Sequence, residues 1–178
     1  GANAAGISVR SSYFAAKFNG LEVSNSTGPG VFAKSGGAIQ GSDWHLHHNG
    51  QEGFYLESAA TIVDGLDLHN NADSGVHIDD ARYVFLSNLT SSLNGDAGLE
   101  FDRANDIESS SGDVRCTNCT SNGDNRGVVA IDSVDLYLED LQVYDPITGP
   151  AISINNSGLD IGVQGGMFHL NNVKTWIN

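Results

Sequence analysis

The stretch Gly75-Val76-His77-Ile78-Asp79-Asp80-Ala81 alternates apolar and polar side chains after a glycine, the pattern of a short strand with one buried face. The same pattern begins at seven positions in the 178-residue chain: Gly6, Gly30, Gly53, Gly75, Gly98, Gly127 and Ala151. The steps between them are 24, 23, 22, 23, 29 and 24 residues. Because a unit of this size is too short to fold alone, the repeat predicts a stacked array in which each coil buries its core against the next.

Within one repeat the alternation occurs three times, as in Phe54–Glu57, Ile62–Asp64 and Leu66–His69. A short polar residue or a glycine separates the second run from the third and suits a tight bend. These bend positions are Asp43, Gly65, Asn88, Asp140 and Gly166. The pattern predicts an all-β fold over residues 1–178: a single parallel β-helix of about seven coils with three short strands per coil, stacked ~4.8 Å apart.

Asparagines follow the third run of five coils, at Asn49, Asn70, Asn94, Asn122 and Asn171. Side-chain amides at equivalent positions of stacked strands can hydrogen-bond to one another along the axis. The sequence therefore predicts an asparagine ladder, with ordinary loop asparagines as the alternative.

The chain is strongly acidic, with 22 Asp and Glu against 8 Lys and Arg and a net charge of −14. Binding to nucleic acid or to an anionic membrane is disfavoured, because a polyanion needs a basic surface. The same charge disfavours strongly anionic polysaccharides unless Ca²⁺ bridges them. A neutral or weakly charged glycan is the easier ligand.

The repeat resembles the right-handed parallel β-helix of the pectin-lyase-like superfamily, which includes polysaccharide lyases, polygalacturonases, alginate epimerases and phage tailspikes. The resemblance covers roughly residues 6–173 and implies a right-handed coil, an extracellular, cell-surface or virion location, and polysaccharide binding or degradation. Asp79-Asp80 is similar to the paired aspartates of polygalacturonases, but the other motifs of that family are absent. The sequence therefore leaves three alternatives open: the protein hydrolyses a polysaccharide, cleaves it by elimination or has no catalytic activity.

Outward side chains of the first strand lie two and four positions after each anchor. One axial row is Ser8, Phe32, Tyr55, His77, Glu100, Val129 and Ser153. The other row is Arg10, Lys34, Glu57, Asp79, Asp102, Ile131 and Asn155. Charge is concentrated on coils three to five, so the function of this face is expected there.

Five residues of these rows are the candidate catalytic groups: Glu57, Asp79, Glu100, Asp102 and His77. Carboxylates on neighbouring strands repel, so at least one should keep its proton unless a cation compensates. The cations available are Lys34, Arg82 and Arg103. A protonated carboxyl beside an ionised one is the pair that a glycosidase uses.

Three further residues are predicted to bind the sugar: Tyr55 as a stacking platform, with Lys34 and Arg103. A solvated acidic face is the main alternative for this surface. A Ca²⁺ site is another, because hard oxygen ligands in a row suit that ion, although the fold requires no cofactor.

A second polar cluster lies on the third run of coils two and three. It contains His45 and His47, aligned with Asp67 and His69. Two stacked imidazoles and a carboxylate are weak candidates for a transition-metal site. Ordinary surface residues are the alternative.

Cys116 and Cys119 lie in the one long coil. Two cysteines cannot form a four-sulfur zinc site. The alternatives are a local disulfide, as expected of an exported protein, and two packed thiols.

Seven coils form a rod only ~34 Å long, and both ends expose strand edges unless they are capped. No capping helix is evident, so we expect a homo-oligomer or a part of a larger assembly. The alternative to a polysaccharide-degrading protein is accordingly a non-catalytic module of a fibre, spike or filament.

Overall fold

The computed structural model describes residues 4–10, 15–34, 38–81, 83–103, 114–131, 136–155 and 168–176. These residues form strands and no helix, and therefore no helix that could span a membrane. The strands are β1 (Ile7–Arg10), β2 (Ala16–Ser24), β3 (Val31–Lys34), β4 (Ala38–His47), β5 (Phe54–Glu57), β6 (Ala60–His69), β7 (Val76–Asp79), β8 (Val84–Ser92), β9 (Ala97–Asp102), β10 (Val114–Asn122), β11 (Arg126–Ile131), β12 (Leu136–Glu139), β13 (Gln142–Tyr144), β14 (Ile152–Asn155), β15 (Phe168–Asn171) and β16 (Lys174–Trp176).

The strands form two parallel sheets that wind along one axis. The first sheet has the order β1-β3-β5-β7-β9-β11-β14, with one strand from each of the seven repeats. The second sheet has the order β15-β12-β10-β8-β6-β4-β2, and β13 and β16 extend it. Successive coils are joined by parallel pairing throughout, so the predicted all-β parallel helix is confirmed, with six turns between its seven first-sheet strands.

The second and third predicted strands are one bent strand in coils one to five. In β6 the side chains of Thr61 and Val63 are buried, and after the bend those of Leu66 and Leu68 are buried. The inward alternation therefore skips one position at Gly65, where φ is +78°. Among the residues that the structure describes, three separate strands per coil occur only in coils six and seven, where β12 and β13, and β15 and β16, are distinct.

Residues of positive φ form the bend in the other coils as well. The predicted bend residues Asp43, Asn88 and Asp140 have φ of 58°, 52° and 50°. Gly166 lies outside the described residues. Short polar residues tolerate this left-handed conformation at low cost, and hydrogen bonding between strands resumes on either side of it.

The core lies between the two sheets. Inward positions of the first sheet are at most 1% exposed in coils two to six: Val31, Ala33, Phe54, Leu56, Val76, Ile78, Leu99, Phe101, Val128 and Ala130. Trp44 from the second sheet is fully buried, and its Nε1–H donates to the carbonyl of Phe18 at 2.9 Å. Burial falls in the last coil, where Ile154 is 44% exposed.

A ladder of buried polar side chains follows the second sheet and runs along the axis. Asn49 donates from its backbone N–H and its amide to Asn71 Oδ1 at 3.2 and 3.0 Å. Asn71 donates in the same way to Asn94 Oδ1 at 3.0 and 2.9 Å. Asn94 donates to Asp124 Oδ1 at 2.8 and 2.9 Å, and Ser26 begins the ladder at Asn49. The ladder thus satisfies backbone donors at a corner.

The predicted ladder is correct at Asn49 and Asn94. Three other predicted members are wrong, because they are exposed: Asn70, Asn122 and Asn171. In coil three Asn70 takes φ of 55° and ends the strand, so the following residue turns inward. In coil five, the one long coil, the ladder position is likewise a residue after the predicted Asn122, namely Asp124, which is fully buried.

The ladder also explains the anchor glycines of coils two to five. A Cβ atom on Gly53 would lie 2.9 Å from Asn71 Nδ2 and 2.9 Å from the carbonyl oxygen of Gly75. A Cβ on Gly30 would lie 2.7 Å from Asn49 Nδ2. Real carbon atoms do not approach so closely, so coils two to five begin with a glycine where their backbone packs against the ladder.

Replacing Asp124 with asparagine should stabilise the protein at neutral pH by about 1 kcal/mol, the usual size of a single favourable substitution. Burial raises the pKa of Asp124, although hydrogen bonds from Asn94 and Ser121 oppose the rise. A folded pKa above the unfolded one means that the folded state binds the proton more tightly. Stability therefore falls as the pH rises from the unfolded pKa through the folded pKa, and an amide removes this loss.

Urea unfolding of the parent and of Asp124→Asn at about pH 4 and pH 7 measures the effect, because the unfolded carboxyl titrates near pH 4. The advantage of the variant should be larger at the higher pH. An equal difference at both pH values would contradict the prediction.

Candidate functional site

The two outward rows of the first sheet are in the predicted register. Tyr55 pairs with His77 and His77 with Glu100 across β5, β7 and β9. Glu57 pairs with Asp79 on the same strands, and Asp79 with Asp102. The structure therefore brings the five candidate catalytic residues together on one face.

The predicted cations do compensate the second row. Lys34 Nζ lies 2.5 Å from Glu57 Oε1, and Arg103 Nη2 lies 2.5 Å from Asp79 Oδ1. Arg103 Nε is 3.9 Å from Asp102 Oδ1. Arg82 lies outside the described residues. These carboxylates are thus held in ion pairs, which leaves them better suited to shaping the face than to transferring protons.

An aromatic stack occupies the other row on coils two to four. The rings of Phe32 and Tyr55 are stacked at 5.2 Å between centroids, and those of Tyr55 and His77 at 4.9 Å. Arg10 lies over Phe32 at 5.2 Å. Both faces of Tyr55 are therefore covered, and the ring offers its edge and its hydroxyl to a ligand rather than the stacking platform that the sequence predicted.

The hydroxyl of Tyr55 donates to Asp79 Oδ2 at 3.4 Å. Burial and the charge of Asp79 raise the pKa of Tyr55, so the hydroxyl stays protonated. A cavity of about 490 Å³ lies beside the stack and is lined in part by Arg10, Phe32, Gln51 and Tyr55. The face thus has a mixed polar and aromatic recess on its first three coils.

A group of charged residues includes two members of the first row and residues that precede the anchors of the first-sheet strands. We call it the acidic cluster, and it consists of Glu52, Asp73, Asp96 and Glu100 with His77 and Arg126. Arg126 holds Asp96 through two hydrogen bonds of 2.6 Å, and its Nη2 is 3.8 Å from Glu100 Oε1. Ser74 Oγ donates to Glu100 Oε2 at 2.7 Å. Glu100 is therefore held as an acceptor next to a cation.

Glu52 and His77 form a pair within the cluster. His77 Nδ1 lies 3.5 Å from Glu52 Oε1, and the Glu52 side chain is only 9% exposed. Burial lowers the pKa of His77, but the hydrogen bond with Glu52 and the charges of Glu100, Glu52 and Asp79 outweigh burial, and the pKa is raised overall. The pair therefore favours the imidazolium form.

Asp73 is a carboxyl of the cluster whose pKa lies above the usual aspartate value. Burial raises its pKa, and the negative charges of Glu52, Asp96 and Glu100 raise it further. The cluster thus combines a carboxyl of raised pKa, Asp73, with Glu100, which accepts from the Ser74 hydroxyl and lies 3.8 Å from the Arg126 guanidinium. Such a pair can perform acid and base chemistry.

The alternating pattern of the sequence does not indicate Glu52, Asp73, Asp96 or Arg126. They stand one or two positions before the anchors, in turns or, for Arg126, at the first residue of β11, where no alternating pattern shows which way a side chain points. Recurrence of charged residues just before the anchor glycines was the available signal: Glu52 and Arg126 precede an anchor by one residue, and Asp73 and Asp96 by two.

The histidines of the second sheet do not form a metal centre with the predicted partners. His45 Nδ1 lies 3.4 Å from Asp67 Oδ2, in a groove of about 290 Å³ at the bend. The rings of His47 and His69 stack at 4.8 Å instead of pointing at a common ligand. Over the described ranges, no three His, Cys, Asp or Glu side chains converge in a way that could hold a metal ion.

Cys116 and Cys119 form a disulfide, which decides between the two alternatives. Both residues are fully buried in β10. The bond spans Asn118, the bend residue of that coil, whose φ is 54°. The disulfide therefore closes a bend that the other coils leave without a covalent link.

Comparison with known proteins agrees with this geometry. The model of the family described as "right handed beta helix region" matches residues 5–172, nearly the whole chain. No curated protein and no solved structure gives a significant match. The match extends over all seven first-sheet strands, from β1 to β14. The chain therefore belongs to the right-handed β-helix family.

Proposed function

We propose that this protein binds a polysaccharide on the outward face of its first sheet and hydrolyses glycosidic bonds at the acidic cluster. The observation that carries the proposal is the position of Asp73, a carboxyl with a raised pKa, in the same cluster as Glu100. Hydrolysis of a glycoside needs one group to protonate the leaving oxygen and another to act as base or nucleophile. The fold supports such a role but does not require it, because β-helices carry many functions.

The roles follow from the environment of each group. Asp73 donates its proton to the glycosidic oxygen as the bond to the anomeric carbon breaks. Glu100, held by Ser74 and Arg126, either takes a proton from the attacking water or attacks the anomeric carbon itself. His77 modulates both carboxyls through its positive charge.

The remaining predicted residues bind the chain rather than react with it. Lys34 and Arg103, with their paired carboxylates, present hydrogen-bonding groups along the axis. The recess beside Phe32 and Tyr55 accepts a sugar unit, which contacts the edge and the hydroxyl of the Tyr55 ring. An extracellular, cell-surface or virion location fits the Cys116–Cys119 disulfide, since such bonds persist in oxidising compartments.

A panel of neutral and weakly charged polysaccharides tests the proposal. Binding is measured by calorimetry, and cleavage by the appearance of new reducing ends. Cleavage of at least one glycan by the parent, and a loss of about 100-fold in rate for Glu100→Gln, are expected. If no member of the panel is bound or cleaved, the proposal is wrong.

A second function is favoured by the last coil. Ile154 and Leu170 are each 44% exposed, although their partners on the preceding strands, Ala130 and Leu138, are at most 1% exposed. Exposed apolar side chains beside strand edges suit association with another coil. Under this alternative the protein is a structural module of a fibre, spike or filament. Sedimentation should then show oligomers that Ile154→Lys dissociates.

A further inference from the structure

We propose that the acidic cluster selects a polysaccharide that carries free amino groups, such as a chain of unacetylated hexosamine. The inference rests on the proposed function, because it names the substrate class of the same site. Its basis is a negative charge that the protein leaves uncompensated beside an oxygen atom that lacks a hydrogen-bond donor.

The charge balance of the cluster is negative. With Asp73 protonated, as its role as proton donor requires, three carboxylates, Glu52, Asp96 and Glu100, face two cations, His77 and Arg126. Arg126 is engaged mainly by Asp96, and His77 by Glu52. None of the described basic side chains lies within ion-pair distance of Asp73. Arg103 on the neighbouring second row does not compensate the negative charge of the cluster, because it already pairs with Asp79 and Asp102.

Glu52 gives an independent indication of a missing donor. Its side chain is 91% buried, and its Oε2 has no hydrogen-bond partner. Leaving a buried carboxylate oxygen without a donor is costly, so such an atom needs an explanation. The terminal torsion of glutamate is soft, and a rotation about it turns Oε2 toward an incoming donor.

An ammonium group fits these requirements better than a metal ion does. A metal ion needs several ligands around one point, and no three such side chains converge in the part of the chain that is described. An ammonium group needs only one or two oxygen atoms and supplies three donors. A sugar amine entering beside Glu52 would compensate the negative charge of the cluster and give Glu52 Oε2 a donor. The net charge of −14 also attracts a cationic polymer to the surface.

The inference is tested by calorimetry with three β-linked pentasaccharides. One consists of glucosamine units, one of N-acetylglucosamine units and one of galacturonic acid units. At about pH 6 a primary amine is charged. The glucosamine pentamer should bind about tenfold more tightly than its acetylated form, as a hydrogen bond between charged groups predicts. The preference should weaken as NaCl is added. The galacturonic acid pentamer should bind weakest.

Glu52→Gln, which keeps the shape of the side chain, should remove most of this preference. Glu100→Gln is a second test at a less buried position, and circular dichroism checks that both variants fold. Asp67→Asn on the second sheet is the matched control and should keep the preference. If both cluster variants still prefer the amine, the assignment of the site is wrong.

The outcome separates the two proposals. If the acetylated pentamer binds as tightly as the amine, the inference is wrong and polysaccharide binding stands. If none of the pentamers binds and the polysaccharide panel also gives no binding, both proposals are wrong.

Discussion

Replacing Asn71 with alanine should lower the free energy of unfolding by about 4 kcal/mol, because several buried polar groups lose their partners at once. The oxygen of Asn71 accepts two hydrogen bonds from Asn49. Its amide donates to the carbonyl of Leu46 at 3.0 Å and to Asn94 at 2.9 Å. Asn71 is 2% exposed, so water cannot replace these bonds in the folded protein.

Asn70→Gly is the matched control one residue earlier. Asn70 is exposed and has φ of 55°, a conformation that glycine adopts easily. The control should change stability by less than about 1 kcal/mol. Urea unfolding monitored by circular dichroism measures both variants. A similar loss in the two variants would mean that the ladder contributes nothing specific.

Replacing Asp73 with asparagine should reduce the rate of glycan cleavage by about 100-fold or more, because the amide has no proton to donate to the leaving oxygen. Glycan affinity should change little, since an amide of the same shape keeps most contacts. The comparison uses a polysaccharide that the parent cleaves, with reducing ends measured over time. Asp67→Asn on the second sheet, paired with His45, should leave the rate unchanged.

The pH dependence provides a second measurement of the same role. Burial and three neighbouring carboxyls raise the pKa of Asp73, so its protonated fraction persists to a higher pH than that of an ordinary aspartate. The cleavage rate should fall as the pH rises through this pKa, because the proton donor is lost. Asp73→Asn should lack this alkaline limb. A variant that retains the parent rate and profile would exclude Asp73 as the donor.

The rows of the first sheet could be predicted from the sequence because two constraints agree there. Alternation fixes which side chains face outward, and the repeat fixes which of them are neighbours along the axis. His77 and Glu100 were therefore placed side by side without a structure. The same reasoning predicted the bend at Gly65, because a glycine or a short polar residue recurs there.

Two features could not be predicted because they depend on corners. A single residue of positive φ, such as Asn70, shifts the next side chain inward, and nothing in the alternation shows which asparagine of a pair is the inner one. The acidic cluster could not be predicted for the same reason, because it includes turn residues such as Glu52.

The covering of the Tyr55 ring has a different cause. It follows from the spacing of neighbouring strands, which is close to the spacing of stacked rings.

The ladder has a consequence for how this protein can change during evolution. Asn49 and Asn71 are 22 residues apart and Asn94 and Asp124 are 30 apart, yet each pair makes the same two hydrogen bonds. The axial contacts are thus independent of the length of chain between them. Segments can be inserted into or deleted from one coil without disturbing its neighbours, so new recognition loops can be acquired coil by coil while the core sequence stays the same.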